Sequence, residues 1–207
     1  LDKKDDLNQT QKYIILLGTA ITLKYLNEKG ISLASLHPKN ILINDNFYPV
    51  ISDFTISDKT IKKAIKMKKM KENIDYKKFD PYLAPENIEK YDAPFNESSN
   101  ALIAFRLLSN EPLFKETGIL LYIRVLEGRR PYSRNLNNEI AEFLNICWAK
   151  NAQDRPTFEK IIMMMTDPRY FREYFQRVDS FRVENYLRST FGDEYNDLIE
   201  RISNLRR

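Results

Sequence analysis

Cysteine and histidine occur once each in the 207 residues, as Cys147 and His37. A lone thiol rules out an internal disulfide framework and fits a reducing, cytoplasmic compartment. One imidazole and one thiolate are also too few ligands for a zinc site. Glycine is scarce. The five glycines, at 18, 30, 118, 128 and 192, are scattered and spell no G-x-G-x-x-G, so the chain has no glycine-rich cradle for phosphates. Long apolar runs are missing as well. The best candidate, YIILLGTAITL at 13–23, falls short of the roughly 20 residues that span a bilayer. It also lies too far from the N-terminus to be a signal peptide.

What is present is an ordinary globular composition, 43% apolar and 30% charged, enough for one fair-sized domain or two small ones and against wholesale disorder. The net charge of +4 is mild but unevenly spread, with nine lysines between Lys59 and Lys78. Such a run attracts anionic partners or is simply a solvated face. It lacks the interleaved aromatics of a single-strand binder, so nucleic acid is not the expected partner.

Periodicity predicts a mainly α fold. Over 8–29, Tyr13, Ile14, Leu17, Ala20, Ile21, Leu23 and Leu26 recur at helical spacing, with Asn8 as N-cap and Gly30 as the stop. Two short apolar runs, 40–43 and 48–52, flank Asn44-Asp45-Asn46 and read as a small β-hairpin. Helices are expected over 97–109, apolar on nearly all sides, then over 116–127 and 139–150. A further helix starts at Pro156 or Thr157 and ends near Met165. Beyond it the chain is aromatic-rich. Tyr170 with Tyr174 and Phe171 with Phe175 suit helices laid on the main body.

The motifs are weak singly and strong in order. Leu33-Ala34-Ser35-Leu36-His37-Pro38-Lys39-Asn40 precedes the hairpin; Asp53-Phe54-Thr55 and Ala84-Pro85-Glu86 follow it. Asn96 opens the apolar helix, GRRP stands at 128–131, and Cys147-Trp148 precedes Arg155-Pro156-Thr157-Phe158. This series resembles the C-terminal lobe of a protein kinase, with its H-R-D-L-K-x-x-N, D-F-G and A-P-E signatures. The resemblance implies a lobe over 1–165, with a catalytic loop at 33–40 and an activation segment at 53–86, and a helical extension over 166–207. It begins at the long helix. The β-rich N-terminal lobe, with its phosphate-clamping Lys, is therefore expected to lie outside this sequence, which reads as a fragment of a longer protein.

The resemblance makes Glu86 and Arg155 a buried ion pair, with Trp148 packed nearby; breaking such a pair costs about 3–5 kcal/mol. It also places Ser35 where the family has its catalytic Asp, a group whose general-base role typically contributes about 10²–10⁴-fold. His37 stands for the catalytic-loop Lys, Ala34 for the Arg that can pair with a phosphorylated activation loop, and Asn96 for a bracing Asp. Thr55 replaces the Gly of D-F-G and stiffens that hinge. Asn40 and Asp53 keep the residue types that hold Mg²⁺ against ATP phosphates in the family. They read equally as a loop cap and a strand-end polar group. The expected function is a catalytically impaired pseudokinase that binds a protein partner through the basic activation segment or the groove beside helix 116–127. An active Ser/Thr kinase completed by a separate N-lobe is the alternative, and a purely structural remnant a third reading.

Overall fold

A reciprocal pair of side-chain bonds starts the first helix. Asn8 Oδ1 accepts from the Gln11 N–H and Gln11 Oε1 from the Asn8 N–H, each at 2.9 Å, so two amide donors at the helix start find partners. Helix α1 then runs Gln9–Glu28. The computed structural model describes residues 7–29, 31, 36–52, 80–84, 86, 97–167 and 177–203. The expected stop at Gly30, the lysine-rich run and the aromatic pairs at 170–175 lie outside them. Among the described residues the fold is mainly helical, with one two-stranded antiparallel sheet.

That sheet is the expected hairpin, β1 (Ile41–Ile43) against β2 (Pro49–Ile51), with Ile41 opposite Ile51 and Leu42 opposite Val50. Its connection is longer than the Asn-Asp-Asn stretch implies. Asn44 Oδ1 accepts from the N–H groups of Asn46 and Tyr48, and the residue forced to positive φ is Phe47, at 63°. The side chain of Asn44 thus organises the loop, while an aromatic residue takes the strained backbone position.

Among the described residues four more helices build the lobe-like body: α2 (Glu97–Ser109), α3 (Gly118–Leu126), α4 (Asn138–Cys147) and α5 (Phe158–Met165). Their boundaries differ from the sequence reading at several ends, among them those of α3, which runs 118–126 and not 116–127. Helix α5 starts one residue after Thr157, whose Oγ1 accepts from the Lys160 N–H; Pro156 precedes this cap and is not helical. Helix α4 stops at Cys147, three residues before the apolar pattern ends. The carbonyls of residues 148–150 are taken there by two arginine side chains, which offer the chain an alternative to further helical bonds.

Helix α1 is the hub. It packs on α5, β2, α2 and the C-terminal helix α6 (Ser180–Phe191), which in turn carries α7 (Asn196–Ser203). Two bonds pin the start of α6 to the start of α1: the Asp179 N–H to Thr10 Oγ1 at 2.9 Å and the Arg177 N–H to Gln9 Oε1 at 3.3 Å. Midway along, Gly18 lets two elements approach the α1 backbone. A Cβ there would fall 1.9 Å from Tyr186 Oη and 2.8 Å from Pro49 Cγ. The Tyr186 side chain is fully buried, and among the described residues its hydroxyl has no hydrogen-bond partner. An orphan of that kind costs about 1–3 kcal/mol.

Glycine inside a helix ordinarily costs about 0.5–1 kcal/mol relative to alanine. At Gly18 the sign reverses, because a methyl group would overlap a buried tyrosine on one side and a strand on the other. Gly18→Ala is expected to destabilise the protein by about 1–3 kcal/mol in urea titrations; a gain in stability would show that α6 is not seated as described.

Candidate functional site

Behind β1 the chain makes a short 3-10 turn, Pro38–Asn40, capped by His37, whose Nδ1 accepts the Lys39 N–H at 3.1 Å. An imidazole used in this way spends the lone pair of Nδ1 on the backbone. The half-buried ring meets Tyr82 edge-on, with centroids 4.9 Å apart. Tyr82 sits in a turn built by Asp80, whose Oδ1 accepts the Tyr82 N–H at 2.9 Å. His37 is thereby committed to structure on two sides.

Asn40 ends the turn and opens the hairpin. Its carbonyl accepts the Ser52 N–H at 2.8 Å, which extends the strand pairing by one step and holds the loop beside the residue preceding Asp53. The turn is capped by His37, not by Asn40, and the Asn40 side chain makes no hydrogen bond among the described residues. On the outward face of the hairpin next to it, Leu42 and Val50 face each other across the strands and remain 54% and 49% exposed. Ser35, Asp53 and Asn96 lie outside the described residues. Among the described residues no group of three or more His, Cys, Asp or Glu could hold a metal ion.

A second cluster ties distant segments together. Arg155, with no side-chain exposure, forks onto both carboxylate oxygens of Glu86, through Nη1 to Oε1 and through Nη2 to Oε2 at 2.8 Å. Its Nε donates to the Ala149 carbonyl at 2.8 Å, and Nη2 also to that of Lys150 at 3.3 Å. Trp148 is buried against Phe105 with ring centroids 5.9 Å apart, and its Nε1–H donates to Asn145 Oδ1 at 3.0 Å. Arg130, from the GRRP stretch, is the third charge. It donates through Nε to the Trp148 carbonyl at 2.6 Å and through Nη1 to the Arg129 carbonyl at 3.0 Å, while its buried Nη2 has no partner among the described residues. Burial, and then the nearby Arg155 cation, push its pKa down to about 10 against the opposing pull of Glu86. Two guanidinium groups therefore share one carboxylate.

Comparison with known proteins assigns this architecture. The family described as protein tyrosine and serine/threonine kinase matches residues 1–165. The chain belongs to the protein kinase family. Among similar proteins, Integrin-linked protein kinase 1 of Arabidopsis thaliana is 29% identical over 178 residues, covering 80% of this chain and 37% of that protein. Kinase suppressor of Ras A of Caenorhabditis elegans is 31% identical over 185 residues, covering 79% and 23%. A probable inactive serine/threonine-protein kinase of Dictyostelium discoideum is 25% identical over 187 residues, covering 86% and 15%. The chain thus spans well under half the length of these kinase relatives.

Within the kinase lobe, Arg130 is the residue that sequence reasoning passed over. GRRP is visible as a motif, but nothing local says that its second arginine enters the Glu86–Arg155 cluster from another loop. The family resemblance puts a docking groove beside helix α3. The helix buries Leu121 and Val125, and leaves Ile119, Leu120 and Ile123 exposed. No helix of the described residues is long and apolar enough to cross a membrane.

Two measurements probe these contacts. Glu86→Gln removes the carboxylate onto which Arg155 forks and is expected to cost about 3–5 kcal/mol in urea unfolding. Adding Arg130→Met should make the double variant less unstable than the two losses combined, because a repulsive cation goes with it; simple additivity would mean that Arg130 does not feel Glu86. The second concerns alkaline pH. Burial, the dominant cause, raises the Tyr82 phenol from 10.0 to about 12, against the nearby Arg106 cation. A pKa raised by folding gives stability that is whole below about pH 10 and lost as pH climbs to about 12. Tyr82→Phe should consequently lose less stability than the parent between those two values.

Proposed function

We propose that this chain is the C-terminal lobe of a catalytically impaired protein kinase, a pseudokinase acting as a signalling scaffold or regulator by binding protein partners. The observation that carries the reading is the use of His37. At the position where the family resemblance puts a phosphate-neutralising lysine, the imidazole caps a turn and packs on Tyr82. With Ser35 at the position of the general base, neither residue supplies what phosphoryl transfer needs at those two places: a carboxylate to accept the hydroxyl proton and a cation on the transferred group. One of the similar proteins bears the name of a probable inactive kinase, which accords with this reading. Residues 1–165 form the lobe on this proposal and 166–207 a helical extension. The partner is a protein met by the exposed face of α3 or by the basic activation segment, in the cytoplasm.

A second reading keeps nucleotide chemistry. The unbonded Asn40 side chain and the exposed Leu42–Val50 pair are what the floor of an ATP·Mg²⁺ site would offer, with Asp53 as the second oxygen ligand, once an N-terminal lobe closes over them. In that case the chain is part of an active Ser/Thr kinase.

The test uses the whole protein that contains this chain, in thermal-shift and phosphotransfer assays with Mg·ATP. The expected outcome is no phosphotransfer above that of Asp53→Ala. Robust transfer that survives Ser35→Ala but is lost with Asp53→Ala would overturn the pseudokinase reading. An absence of any ATP-dependent shift would remove the nucleotide reading.

A further inference from the structure

Behind the hairpin lies a notch with one occupant. Gly18 of α1 forms its floor, and Tyr48 and Pro49, at the start of β2, form one wall. Tyr186 of α6 fills it. The ring stands 4.6 Å from that of Tyr48 and 5.8 Å from that of Phe191, which itself lies 5.1 Å from Tyr195. From the notch a short covalent and hydrogen-bonded path leads to the loop. Pro49 begins β2, β2 ends at Ile51, and the next residue donates its N–H to the Asn40 carbonyl.

We propose that Tyr186 is a positioning residue for the loop carrying Asn40: α6 plugs its ring into the Gly18–Tyr48–Pro49 notch and braces the hairpin from behind. The brace is built to be releasable. Phenylalanine would fill the same space without an orphan, yet the residue present buries a hydroxyl that nothing receives. Ser180, at the start of the same helix, buries a second hydroxyl oxygen that has no partner among the described residues. Two desolvated, unreceived hydroxyls weaken the docking of α6 relative to its apolar equivalent while leaving its shape intact. The two bonds from residues 177 and 179 to α1 fix where the helix starts. The brace operates whether or not the loop binds a nucleotide, so failure of the pseudokinase reading leaves it standing.

Native-state hydrogen exchange on the full chain, read residue by residue by NMR, tests this. Tyr186→Ala should speed exchange of the Ser52 amide about tenfold or more, while amides of Phe143 and Leu144 in α4, which packs on α2, change less than about twofold. Tyr186→Phe should keep or improve the protection of Ser52 and raise the melting temperature. Should the alanine variant not fold, Tyr186→Leu and Thr10→Val, which removes only the acceptor for the Asp179 N–H, give smaller increases at the same amide. A Ser52 amide indifferent to these changes would overturn the proposal, as would a uniform rise across all amides. So would a Phe variant that loses protection as the Ala variant does, since it would mean the hydroxyl has a partner.

Discussion

From Tyr13 to Ile21, helix α1 presents no residue to water. A helix apolar on every side has to be surrounded, and here each neighbour meets a different part of its circumference: α5, β2, α2 and α6. Close packing around a cylinder leaves little slack, so the narrowest point decides how near the neighbours come. That point is Gly18, where the absence of a side chain lets the hairpin and Tyr186 reach the helix together. The loop with Asn40 stands where it does because β2 is seated on α1. In this sense the site begins with a missing methyl group.

The charge cluster solves a different problem, that of ending a helix and anchoring a loop at once. Helix α4 must turn after Cys147, which leaves carbonyls in need of donors. Arg155 supplies two of them and still has a planar face for the Glu86 carboxylate, 69 positions earlier in sequence. Arg130 supplies the carbonyl of Trp148. Only guanidinium carries enough fixed donors to do both, and lysine at either position would leave several acceptors bare. The cost is two cations beside one anion, tolerable because five carbonyl contacts solvate them.

Much of this was legible in the residues. The helical periods, the Asn8 cap and the alternation of the hairpin are local, and local physics placed α1, β1 and β2 well. What escaped is set by distant partners. The end of α4 cannot be read from its own pattern, since Trp148 continues the apolar period; the arginines that stop it lie on other segments. Phe47 takes positive φ because the Asn44 side chain closes the loop around it, a choice made by geometry and not by propensity. The capping role of His37 is hidden by its alignment with a lysine. Tyr186 looks like any other member of an aromatic tail until Gly18 is seen beneath it.

Scaffold and chemistry draw on different residues in this lobe, and that separation bears on how a kinase fold can lose activity without losing shape. The described packing rests on apolar contacts around α1 and on the Glu86–Arg155–Arg130 cluster, neither of which uses the side chain of His37 as a charge. The imidazole at 37 even adds a cap that a lysine, with no lone pair when protonated, could not provide. On the proposed reading, exchanging lysine for histidine at this site therefore traded a phosphate contact for a better-held turn. A site under such exchange drifts toward stability, because catalytic groups are ordinarily kept at some cost to the fold. The outward face of α3, with Ile119, Leu120 and Ile123 exposed, is a surface this core does not need.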